Sequence, residues 1–169
     1  MTVLNIAMVG SDDLAKSIAK ATDQRDVHTY VHKESGADGP RILSIIRPAK
    51  MPERIRPFFN ALCAARVGLI EVNEINAAFG EVLVGFASAG VEKGIMVINP
   101  PEGEWIDEDQ VKGFFTQAGL KSWTQCNNDG IEIRHALYGL MDEISGNLES
   151  AKKEPLVVPI DQHFNVKGI

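Results

Sequence analysis

The chain has 169 residues, 44% hydrophobic and 24% charged, a balance that supports one domain with a buried core. Its net charge of −6 excludes a general basic footprint for nucleic acid. No run is long and apolar enough to span a membrane, and Asp12, Asp13 and Lys16 interrupt the opening, so it does not read as a secretory signal.

The apolar run Val3 to Val9 predicts a first strand ending at Gly10. A polar loop follows, and Lys16-Ser17 opens a helical pattern. This is the layout of a phosphate-binding loop, G-x-x-x-x-G-K-S/T, with Ala15 where the second glycine belongs. In such a loop backbone N–H groups and a helix N-terminus cradle phosphates, the lysine adds a cation and the hydroxyl ligates Mg²⁺. The Gly10–Ala15 backbone, Lys16 and Ser17 are therefore candidate phosphate-binding groups, with Ser17 the candidate metal ligand. Ala15 departs from the pattern, because a Cβ resists conformations that glycine allows. Asp12 and Asp13 read as helix caps.

Leu14, Ile18 and Ala21 predict a helix stopping near Thr22-Asp23. Val27–Lys33 and Arg41–Ile46, joined by the Gly- and Pro-rich stretch Glu34–Pro40, read as an antiparallel hairpin. Pro52 reads as the first turn of a helix reaching Ala65. Strand and helix then alternate: strand Val67–Val72, helix Ala77–Ala89 ended by Gly90, strand Gly94–Asn99, a helix from Asp107 through Ala118, strand Lys121–Cys126 and a helix from Ile131 to Leu148. The fold class is α/β, a doubly wound, mainly parallel sheet with one antiparallel hairpin edge. Ligands of such sheets bind outside the strand C-termini, where the Gly10, Ile46–Lys50 and Asn99–Glu102 loops lie.

Cys63 and Cys126 match no metal spacing and read as free thiols in a reducing, cytoplasmic setting. His28, His32, His135 and His163 have no ligand spacing either. Trp105 and Trp123 read as packing residues, and Phe58-Phe59 and Phe114-Phe115 as core-facing. Arg47, Lys50, Arg54 and Arg56 form the one basic cluster, a solvated helix face or a contact for RNA phosphates.

With these loops in order, the chain resembles the guanine-nucleotide domain of translational GTPases: elongation factor Tu and, more closely, the selenocysteine-specific elongation factor. The opening matches the family loop at Gly10, Asp13, Lys16 and Ser17, and Gly94-Ile95-Met96-Val97-Ile98-Asn99 is similar to the strand before the base-reading motif. The resemblance implies residues 1–148 as a degenerate guanine-nucleotide domain, 149–154 as a linker and 155–169 as the start of a truncated β-barrel domain. It further implies GTP or GDP with Mg²⁺ as cofactors, Asn99 and Glu102 facing the base, and the ribosome and an aminoacyl-tRNA as partners of the full-length factor. The pattern of losses looks like a divergent methanogen relative of the selenocysteine factor, with pyrrolysine as the implied cargo.

The departures fall on the catalytic motifs. D-x-P-G-H becomes Ile46-Arg47-Pro48-Ala49-Lys50, with Lys50 at the position of the water-orienting histidine, and N-K-x-D becomes Asn99-Pro100-Pro101-Glu102. Losing the metal-holding and water-orienting groups together predicts hydrolysis suppressed by several orders of magnitude. Two rivals stay open: a nucleotide-free pseudo-GTPase serving as a structural and interaction module, and an unrelated ATP-using P-loop enzyme. The strand-like tail also predicts self-association through an open edge.

Overall fold

The computed structural model describes residues 1–24, 27–51 and 53–146. In chain order the elements are β1 (Thr2–Val9), α1 (Asp12–Ile18), β2 (Lys20–Gln24), β3 (Val27–Gly36), β4 (Gly39–Pro48), α2 (Ile55–Ala64), β5 (Val67–Val72), α3 (Ala77–Ser88), β6 (Lys93–Ile98), α4 (Glu108–Gln117), β7 (Ser122–Cys126) and α5 (Gly130–Gly146). They build one sheet in the order β2-β3-β4-β1-β5-β6-β7. Strands β4, β1, β5, β6 and β7 pair in parallel, and β2, β3 and β4 pair antiparallel. This is the doubly wound, mainly parallel α/β sheet that the sequence predicts, with the antiparallel edge three strands deep rather than two.

Helices cover both faces, so the central strands are apolar on both sides. Every residue of β5 is buried. Its Val67 and Leu69 join the core beneath α1 and α5, whereas Ile70 and Val72 join the core beneath α2, α3 and α4. Trp123 of β7 lies across the neighbouring strands, its ring against Phe86 and Phe115. Gly68 and Gly94 are glycines because Trp123 occupies the space of a side chain there. A Cβ on Gly94 would lie 2.6 Å from Trp123 Cδ2. No helix among the described residues is long and apolar enough to cross a membrane.

Several expectations need correction. Helix α1 stops at Ile18, four residues short of Thr22, because Ala19 turns extended and Lys20 and Ala21 pair with Val31 and Tyr30 of β3. Arg134 of α5 also donates to the carbonyls of Ser17 and Ile18, which closes the helix end. Ladder pairing thus overrides the weak helical pattern. Helix α2 begins at Ile55 rather than Pro52, with Pro57 in the first turn, where a missing N–H costs nothing. The cap of α1 is Ser11, whose Oγ accepts from Leu14 N at 3.1 Å, and not an aspartate. Phe58 is buried, but Phe59 is 45% exposed. Trp123 packs as expected; Trp105 is 80% exposed. The linker at 149–154, the segment 155–169 and the self-association expected of it lie outside the described residues.

Candidate functional site

Strand order reverses at β1: the chain passes to the β4 side first and later returns to the β5 side. The crevice at the strand C-termini there is the expected ligand position of an open α/β sheet. It collects Gly10 and Ser11 after β1, Arg47 near the end of β4, Glu71 near the end of β5 and Asn99 after β6.

The connection between β1 and α1 is only Gly10 and Ser11, because the helix already begins at Asp12. Lys16 therefore lies in the last turn of α1, not at its N-terminus. Its Nζ meets Asp12 Oδ2 at 2.5 Å, one helical turn away. Asp12 also accepts from the Tyr30 hydroxyl. The Lys16 hydrogen bond, then that of Tyr30, hold the Asp12 carboxyl below its ordinary value, and Asp12 raises the Lys16 ammonium in turn. Burial, then the bond to Asp12, push the Tyr30 phenol up to about 12. Ser17 Oγ donates back to Leu14 O at 2.7 Å. Ala15 is fully buried, its N–H directed to Ser11 O at 3.3 Å. Asp13 is exposed.

Glu71 organises this end of the sheet. It is 8% exposed, and among the described residues it is the buried charged side chain. Its Oε2 accepts from Ser11 N at 2.5 Å and its Oε1 accepts from Asn99 Nδ2 at 2.8 Å. One carboxylate thus ties the segments after β1 and β6 to strand β5. Gly10 is a glycine because of it: a Cβ there would stand 2.8 Å from Glu71 Cβ and 3.0 Å from Oε2. Arg47 closes the other side, donating from Nε to Gly10 O at 2.7 Å, with its guanidinium 3.3 Å from His28 Nδ1. The basic cluster is thereby divided: Arg47 turns into the site, and Lys50, Arg54 and Arg56 are exposed.

Asn99 is fixed by its backbone as well, donating to Val72 O at 3.0 Å. Glu102 is exposed on a turn in which Glu104 N donates to Pro101 O at 2.9 Å. The structure brings Gly10, Asn99 and the start of α1 to one place. It leaves Glu102 and Lys50 on the surface and gives the Lys16 and Ser17 side chains intramolecular partners.

A nucleotide with Mg²⁺ does not fit these residues as they stand. The Ser11 N–H carries a carboxylate, and Asp12, Asp13 and Glu71 surround a helix start where phosphates would add more negative charge. The adjoining cavity, about 200 Å³ between Val9, Met51, Ile70, Glu71 and Phe79, has no lysine or arginine among the described residues that line it. Sequence reasoning passed over Glu71 and Tyr30, and read Arg47 as part of a basic cluster rather than as a partner of Gly10. The signal for Glu71 was available, since an acid inside a wholly apolar strand demands a partner.

Sheet order and helix placement define a P-loop GTPase-like fold. Consistent with this, the crystal structure of a bacterial selenocysteine-specific elongation factor superposes with a TM-score of 0.62 over 89% of this chain and 29% of that one, at 18% identity. An uncharacterized protein of Methanocaldococcus jannaschii is 25% identical over 170 residues, covering all of this chain. The chain spans about half the length (51%) of that relative. No known family's sequence profile matches.

Proposed function

We propose that this chain is a translation-factor-like domain that keeps the GTPase-type frame but works without nucleotide, as a structural and interaction module. One observation carries the reading: the Glu71 carboxylate is bonded to Ser11 N–H and Asn99 at the position where phosphates and base would be held. In a working GTPase the nucleotide joins these loops and its hydrolysis releases them. Here a side chain of this chain joins them instead. The elongation-factor likeness supports a place beside the translation machinery in the cytoplasm. Contacts with the ribosome and an aminoacyl-tRNA would run partly through the remainder of a longer protein.

A second reading keeps GTP or GDP with Mg²⁺, held by Gly10, Asp13, Ala15, Lys16, Ser17, Asn99 and Glu102. The surviving spacing of Gly10, Lys16 and Ser17 favours it. It requires Lys16 to leave Asp12, Ser17 to leave Leu14 and Ser11 N–H to leave Glu71. Calorimetric titration with GTP, GDP and ATP, each with and without Mg²⁺, separates the two. The first reading expects no heat from any of them. Micromolar GDP or GTP binding, about −8 kcal/mol, abolished by Lys16→Ala, would establish the second.

A further inference from the structure

Trp105 lies outside both core clusters of the described residues. It is 80% exposed, whereas its neighbour Ile106 is 9% exposed and anchored in the core beneath α4. The loop that carries it is held at both ends. Pro100 and Pro101 stiffen its start, Gly103 turns it at φ +83°, and Glu104 N donates to Pro101 O. Asp107 then caps α4, accepting from Asp109 N and Gln110 N. A large flat ring is therefore presented from a preorganised loop, which lowers the entropy lost on binding. Tryptophan so placed is the residue most enriched among binding hot spots.

Charge decides the partner. Glu102, Glu104, Asp107, Glu108 and Asp109, all exposed, lie within four residues of Trp105 in sequence; Asp107 caps α4, and Glu108 accepts from Gln125 and lies 3.6 Å from Lys112, the nearest cation along the segment. RNA phosphates would be repelled here, although a base could stack on the ring. A cation over the indole face with carboxylates around it gains both the π attraction and ion pairing. We propose that the β6–α4 loop docks an arginine- or lysine-rich protein segment, with Trp105 as the anchor. The proposal gives the interaction module a surface and stands whether or not the domain binds nucleotide.

The test is titration of the chain with a short arginine–glycine peptide, a glutamate–glycine control and a single-stranded RNA oligonucleotide, followed by calorimetry and tryptophan fluorescence. Because Trp123 is buried, quenching by iodide reports on Trp105. Saturable binding of the arginine peptide is expected, with Trp105 shielded from iodide. Trp105→Ala should weaken it by about tenfold or more, Trp105→Phe should restore part of the affinity, and Glu102→Gln with Glu104→Gln should reduce its salt dependence. Binding unchanged in Trp105→Ala would overturn the proposal, since charge alone would account for it. Absence of peptide binding, or RNA shielding Trp105 where the peptide does not, would also overturn it. Nucleotide binding in the same sample would contradict the proposed function and leave this inference intact.

Discussion

The β1–α1 loop and the β6–α4 loop leave the same edge of one sheet, and their polar groups are used in contrasting ways. In the first, a carboxylate from a neighbouring strand reaches the backbone of Ser11, and Arg47 reaches Gly10 O. In the second, Glu102 and Glu104 face solvent beside an exposed tryptophan. A loop whose hydrogen-bonding capacity is met from within has little left for a ligand. A loop that leaves charge and aromatic surface outside keeps its capacity for a partner. Under the proposed reading, interaction falls outside the position where GTPase-type folds hold nucleotide.

The largest expected effect comes from breaking the inward loop. Glu71→Ala strips the carboxylate from Ser11 N–H and Asn99 together, and loss of about 2–4 kcal/mol is expected from chemical denaturation. Glu71→Gln, which keeps the shape but can satisfy only part of the pattern, should lose less. Gly10→Ala forces a methyl against Glu71 and should cost about 1–3 kcal/mol. Glu71→Ala in that background should recover little of the loss, because alanine removes the contact with Oε2 at 3.0 Å but keeps the closer Cβ at 2.8 Å.

A smaller effect tests Asp12. Its carboxyl is held below the ordinary 3.8, so the stability it contributes is complete above pH 3.8 and is lost as pH falls through the lowered value. The difference in melting temperature between the wild type and Asp12→Asn should therefore be constant near neutrality and shrink in acid. A difference that instead grows as pH falls would reverse the assignment. The smallest effect belongs to the outward loop. Trp105→Ala should leave stability within about 0.5 kcal/mol, and a large loss would mean that the ring packs rather than projects.

Much of the fold is legible in the residues. Continuous apolar runs mark β5 and β6, while Gly90 and Gly119, at φ +71° and +86°, close α3 and α4 where the sequence places their ends. The site is less legible, because its contacts depend on register. Glu71 meets Ser11 only because β1 and β5 pair with Val9 opposite Ile70. Nothing local in either strand encodes that pairing. The same holds for α1: its residues carry a helical pattern beyond Ile18, and the β3 residues whose pairing ends it, Tyr30 and Val31, lie downstream of their partners Ala21 and Lys20. Trp105 is a different failure. Ile106 is buried and Trp105 is exposed, and composition does not say which of the two apolar neighbours turns inward.

The central claim, that Glu71 stands where a nucleotide would be held, is tested most directly by amide NMR of Ser11. Glu71→Gln should move the Ser11 amide resonance strongly, because the charge on its acceptor is removed, and millimolar GDP with Mg²⁺ should leave the wild-type spectrum unchanged. A wild-type Ser11 amide that follows GDP concentration to saturation, with Leu14 and Lys16 moving alongside it, would contradict the account.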